Sequence, residues 1–188
     1  MKIACIGGAH IDRHAVLKGR VIAGTSNPGS ITTSFGGVAR NVAENLARLG
    51  CNVSMVSRVG DDAFGRALLR LWADEGVDTR GVATDASAST GVYFVTHGPA
   101  GHEFSYLRAG SAASKMDAAS LPLHVIRDAR LLHVSGISQA ISASACDAAF
   151  AAIEAARAAG ARVSFDPNLR LKLWPLARAR AVIVATAA

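Results

Sequence analysis

The feature that most constrains the fold of this chain is a unit used twice: an amphipathic helix, a glycine that ends it, and then a short apolar segment. From Val38, the apolar residues Val38, Val42, Leu46 and Leu49 recur at helical spacing, Gly50 stops the helix, and Asn52–Ser57 follows with Val53, Met55 and Val56. The unit returns at Ser142–Ala159, where Cys146, Phe150 and Ile153 share a face, Gly160 ends the helix and Arg162-Val163-Ser164-Phe165 begins a strand. Another helix, Ala63–Glu75, gathers Phe64, Leu68 and Leu71 and stops at Gly76. Apolar runs at Ile3–Ile6, Leu131–Val134 and Ala181–Val184 read as buried strands. Such alternation predicts an α/β fold, a parallel sheet covered by helices.

Two stretches break the alternation. Gly91–His97 and His102–Arg108 flank the turn Gly98-Pro99-Ala100-Gly101, as in an antiparallel hairpin. A second extended pair, Arg20–Ala23 and Ser30–Ser34, flanks Ser26-Asn27-Pro28-Gly29. Together they predict a small antiparallel β lid, from segments at about 12–35 and 88–110, on one domain spanning 1–188. With 188 residues, 51% of them hydrophobic, the chain is long enough to bury a core without disulfide or metal staples. Cys5, Cys51 and Cys146 are odd in number and form no CxxC pair, which points to a reducing, cytoplasmic compartment. No secretory leader is read at the N-terminus, and no apolar run reaches the roughly 20 residues of a membrane helix, so no membrane partner is expected.

The net charge of +6 would permit an anionic partner, but the arginines are scattered and not interleaved with aromatics. Nucleic acid is therefore not the expected partner; a small acidic or phosphorylated ligand is. The six histidines show no HExxH spacing and no structural metal is assigned; Gly7-Gly8 lacks the GxGxxG pattern of a nicotinamide fold.

Chemistry is concentrated in Ser34-Phe35-Gly36-Gly37-Val38-Ala39-Arg40-Asn41. A glycine pair entering a helix lets a ligand approach the backbone, first-turn N–H groups offer donors, and the Asn41 amide both gives and accepts hydrogen bonds. A bare Gly-Gly is also an ordinary helix start. A second polar run, Phe165-Asp166-Pro167-Asn168-Leu169-Arg170, lies where a strand meets a helix, at the sheet edge where α/β proteins bind ligands. Asp-Pro-Asn is equally a turn and cap sequence.

The stretch Gly36-Gly37-Val38-Ala39-Arg40-Asn41-Val42-Ala43, with Gly50 and Gly60 at their spacings and Val59-Gly60-Asp61-Asp62-Ala63-Phe64-Gly65 after it, closely resembles the first signature of the ribokinase-like, or PfkB, carbohydrate kinases. The resemblance runs from Met1 to about Trp174. It implies a parallel α/β sandwich with a β lid, and transfer of the ATP γ-phosphoryl group, with Mg2+, to a hydroxyl of a small-molecule sugar or nucleoside. Asp12 is then a hydroxyl acceptor, and Gly36, Gly37 and Asn41 make further hydroxyl contacts. His10 departs from the pattern, where relatives often carry Asn.

On acceptor identity the resemblance divides. Thr25-Ser26-Asn27-Pro28-Gly29 leading into Phe35–Leu46 is most similar to pseudouridine kinases. Tyr106-Leu107-Arg108, Gly110–Ser114, Ser135-Gly136-Ile137 and the Asp166–Trp174 run are similar to 2-keto-3-deoxygluconate kinases, in which Arg108 and Arg170 would bind a carboxylate. The first is the leading expectation, with Asp166, Asn168 and Arg170 as secondary substrate contacts. The family's Gly-Ala-Gly-Asp turn, which carries the anion hole and catalytic aspartate, does not occur in the sequence. The catalytic aspartate is thus expected beyond Ala188 and the chain is expected to be truncated and inactive. The alternative of another class is a noncatalytic polyol-binding remnant. A homodimer through the lid is the protein partner considered.

Overall fold

A computed structural model describes residues 1–17, 19, 22–98 and 101–188, the side chains of 97, 98 and 101–104 excepted. The strand-forming run after Met1 gives β1 (Lys2–Ile6), which is central to a five-stranded sheet ordered β5-β4-β1-β8-β9, with β4 at Asn52–Gly60, β5 at Asp78–Asp85, β8 at Leu131–Ser135 and β9 at Arg162–Asp166. Every pairing in it is parallel. Successive side chains of a strand point to opposite faces, and β1 shows this directly. Ile3 and Cys5 pack with Met55, Leu68 and Trp72 under α1 (Val38–Arg48) and α2 (Ala63–Asp74). Ala4 and Ile6 pack on the other face with Leu132, Val134 and the alanine-rich side of α5 (Ala143–Ala158), and with Val125 and Ile126 of α3 (Leu123–Arg127). Alanines at 149, 152 and 156 let α5 lie close to the sheet.

A second sheet stands off the first, ordered β3-β2-β6-β7, with β2 at His10–Leu17, β3 at Gly29–Gly36, β6 at Gly91–Gly98 and β7 at Gly101–Leu107. It is mixed, not antiparallel as expected from the sequence. Each hairpin is antiparallel, but β2 pairs with β6 in parallel, because both are the outgoing strands of hairpins that leave the same side of the body. Among its described side chains only Ile11, Gly36, Gly91 and Val95 are buried, while most of β3 is exposed.

Two further expectations change. The strand preceding the Asn27-Pro28 turn is His10–Leu17; of the expected Arg20–Ala23 strand, Arg20 and Val21 lie outside the described residues, as do Pro99 and Ala100 of the other turn, and Ile22 and Ala23 are not in a strand. Ala181–Val184 is not a strand but part of α6 (Leu176–Ala187), which is entered from the extended Pro175 and leaves Val184 exposed. It packs against α4 (Gly136–Ala140), where Gln139 Nε2 donates to Thr186 Oγ1 at 2.9 Å. Among the described residues no helix is long and apolar enough to cross a membrane.

Candidate functional site

The site forms where the small sheet joins the large one. After β1, Gly7-Gly8-Ala9 turns the chain into β2, and the end of β3 delivers Gly36-Gly37 to the start of α1 beside it. Gly37 caps α1 at φ 123°, in the region that favours glycine, and a Cβ there would stand 2.6 Å from the Gly8 carbonyl oxygen. The glycine pair is therefore demanded by two chain segments packing backbone to backbone as well as by access for a ligand.

A cavity of about 220 Å³ opens at this junction. Asp12, Gly36, Gly37, Asn41 and Arg108 all line it, drawn from β2, β3, α1 and the segment after β7. Ala9, Val38, Ala113, Ile137 and Ile141 give it apolar walls, and Ser111, Ser114 and Ser138 add hydroxyls. Asn41 is oriented by Arg40, whose Nη1 donates to Asn41 Oδ1 at 2.8 Å and to the Phe35 carbonyl at 2.6 Å. That leaves the Asn41 Nδ2 group as a donor. Arg40 is itself clamped by Glu44, through Nε–Oε1 and Nη2–Oε2 contacts of 2.5 Å each. Arg40, Glu44 and Arg48 are spaced four apart along α1, yet Glu44 is buried. Burial raises its pKa, and Arg40 only partly offsets that.

One face of the small sheet carries the rest. His10 stacks on Tyr93 with centroids 3.7 Å apart and planes 18° from parallel, and its Nε2 lies 3.3 Å from Asp12 Oδ1. Tyr106 meets Tyr93 edge-on at 4.7 Å. Arg108 Nη1 donates to the Tyr93 hydroxyl at 3.0 Å and its guanidinium sits over both rings. Burial raises the Tyr93 pKa, with Arg108 acting against it.

A larger opening of about 580 Å³ adjoins the first, sharing Tyr93, Arg108 and Ile137, and is lined beyond them by Leu169, Arg170 and Lys172. Arg170 thus stands in a neighbouring space, not in the first cavity. Asp166 and Asn168 line neither. Asp166 Oδ1 accepts from the Asn168 amide at 3.1 Å and Oδ2 from Ser135 Oγ at 3.4 Å, so its carboxylate serves its own turn, which holds Asn168 at a left-handed φ of 36°. The sequence reading names neither Tyr93 nor these serines as site residues, although Ser111 and Ser114 fall in the Gly110–Ser114 stretch. Tyr93 is 83 positions from His10, and only the β2–β6 pairing joins them.

A family model described as pfkB family carbohydrate kinase matches residues 1–187. Fructokinase-1 of Oryza sativa subsp. japonica is 43% identical over 142 residues, covering 74% of this chain and 43% of that protein. A solved PfkB protein from Polaromonas sp. JS666 is 37% identical with a TM-score of 0.84, over 99% of this chain and 62% of that one. A solved putative ribokinase II from E. coli, in complex with ATP and Mg2+, is 26% identical with a TM-score of 0.87, over 98% of this chain and 58% of that one. The chain therefore spans between two fifths and two thirds of the length of these relatives. Since the family match covers all but the last of its 188 residues, the chain belongs to the pfkB family of carbohydrate kinases.

Proposed function

We propose that this chain forms the acceptor-binding part of an ATP-dependent sugar kinase whose acceptor is a ketohexose such as D-fructose. The observation that carries the reading is the convergence of Asp12, Asn41 and Gly36-Gly37 on one cavity of about 220 Å³. A carboxylate, an amide and helix-start N–H groups between apolar walls present oriented acceptors and donors to a polyol. The cavity has room for a monosaccharide. The fructokinase relatives weigh the same way.

In the proposed reaction a sugar hydroxyl oxygen bonds to the γ-phosphorus of ATP as the bond to ADP breaks, and the hydroxyl proton passes to a base of the complete protein. Such transfer depends on positioning and charge stabilisation. This chain's part is to bind and orient the hydroxyls and, through its apolar walls, to limit water. Arg108, Arg170 and Lys172 around the second opening offer the positive charge that phosphate oxygens require. ATP and Mg2+ are proposed for the complete protein by likeness to the E. coli neighbour. Among the described residues no group of three or more His, Cys, Asp or Glu side chains stands together to hold a metal.

The test is calorimetric titration of the chain with D-fructose, pseudouridine and 2-keto-3-deoxygluconate. D-fructose is expected to bind and Asp12→Ala to weaken that binding measurably without abolishing it; preference for pseudouridine would replace the ketohexose by a nucleoside. The acid-sugar reading rests on Arg108 and Arg170 lining one opening, and 2-keto-3-deoxygluconate binding abolished by Arg170→Ala would establish it instead. Sugar binding without turnover on ATP is the expected behaviour of this chain, because its sequence contains no Gly-Ala-Gly-Asp segment. The same result from the complete protein would favour a noncatalytic polyol binder.

A further inference from the structure

His10 is held in a way that no helix or strand requirement explains. In register it lies between two glycines, Gly36 of β3 and Gly91 of β6. Its ring stacks on Tyr93, while on the other strand a Cβ at Gly36 would stand 2.2 Å from His10 Nε2 and 2.5 Å from Asp12 Oδ2. The imidazole and the carboxylate therefore both occupy space that is open only because residue 36 lacks a side chain. The two are two residues apart on β2, hence on the same face, and Nε2 is 3.3 Å from Oδ1. Both side chains are largely shielded, at 17% and 21% exposed. Tyr93 is fixed in turn by Arg108 through its hydroxyl and by Tyr106 through its edge.

A free aspartate side chain has several rotamers, and ordering it costs entropy that binding would have to offset. We infer that His10 is a positioning residue for the acceptor: clamped between Tyr93 and the bare backbone of Gly36, it places an Nε2–H against Asp12 and fixes the one carboxylate orientation that meets the sugar hydroxyls. This deepens the ketohexose reading and rests on it. The inference also gives Gly36 a second purpose, as the residue that leaves room for the pair, and it makes the aromatic ladder Tyr106–Tyr93–His10 a support for Asp12. His10 acts through Asp12 and need not touch the sugar.

The test uses the 188-residue chain, with D-fructose as the probe in calorimetry and the His10 tautomer read by long-range proton–nitrogen NMR. His10→Phe keeps the stack but loses the donor, and is expected to weaken binding by about fivefold to twentyfold. His10→Asn restores a donor and is expected to stay within about threefold of the parent chain. If His10 works through Asp12, His10→Phe placed on Asp12→Ala causes no further loss beyond about twofold. A His10→Phe chain that binds as the parent does, or that loses as much again on the Asp12→Ala background, overturns the inference. In the free chain the Nε2–H tautomer is expected to dominate and to give way in Asp12→Asn; a tautomer indifferent to that substitution also overturns it. Failure of the parent chain to bind D-fructose, with the tautomer still responding to Asp12→Asn, would sink the ketohexose reading while the His10–Asp12 pairing stands.

Discussion

At the scale of single residues, the site divides into those whose chemistry is local and those made by pairing. Asp12→Ala removes a charged acceptor, and sugar affinity is expected to fall by about 1–3 kcal/mol in titration calorimetry. Gly37→Ala would force a side chain into a φ of 123° and against the Gly8 carbonyl, so a loss of about 1–3 kcal/mol in urea unfolding is expected, with the cavity deformed as well. Gly36, Gly37 and Asn41 at the cavity were legible in the sequence because a glycine pair at a helix start is a local signal, whereas Asp12 was read from the family likeness. Arg108 was legible only through family likeness. The Tyr93 stack on His10 was not legible, since it exists only once β2 and β6 lie side by side. Asp166 and Asn168 show the converse: a polar run that reads equally as site or turn, and that the fold uses as a turn.

Among elements, α1, α2 and α5 were readable because apolar residues recur at helical spacing and a glycine follows each, although in α1 the residues that end up buried are Ala39, Ala43 and Glu44 and Leu49 is exposed. Strand β5 was not. Its sequence, Asp-Thr-Arg-Gly-Val-Ala-Thr-Asp, carries no apolar run, because an edge strand is held by backbone pairing to β4 and needs little burial. Helix α6 misled in the opposite sense, its Val-Ile-Val run being β-prone while its position after Pro175 sets a helix. The start of α2 carries the clearest single-element prediction. Asp62 caps it by accepting from the Gly65 amide at 2.7 Å, and also accepts from the Thr90 amide at 2.7 Å and the Thr90 hydroxyl at 3.0 Å. Burial alone would raise its pKa, but the Thr90 and Gly65 bonds outweigh that and hold it below the usual aspartate value. A depressed carboxylate stabilises the fold above its unfolded pKa of roughly 4, and that contribution disappears as pH falls through the folded value. Asp62→Ala is expected to cost about 1–3 kcal/mol at neutral pH and to show a weaker acid dependence than the parent in urea melts. Thr90 immediately precedes β6, so the same variant should loosen the root of the second hairpin.

For the molecule as a whole, the two sheets respond to different conditions. His133 lies inside the large sheet, paired through Nδ1 with Ser164 Oγ at 3.2 Å. Burial lowers its pKa, with Asp166 pulling slightly the other way. The folded chain therefore resists protonation, and its stability is expected to fall as pH drops below about 6.5, the unfolded value. Melting temperatures at neutral and mildly acidic pH should converge in His133→Asn. The small sheet leaves Ile31 60% and Leu107 65% exposed, and a second copy of the chain is the proposed cover. Sedimentation should then show a dimer that Ile31→Asp reduces to monomer; a monomeric parent would refute the pairing. The helix-on-sheet plan was legible because alternation in sequence maps directly to parallel strands, whereas the mixed order of the small sheet depends on where two distant loops meet. That order has a mechanical corollary. Because β2 and β6 run side by side as its inner rails, the two hairpins are stitched into a single leaf, and neither can swing away from the body without carrying the other. Any movement of that leaf relative to the body would therefore carry Arg108 and His10 together.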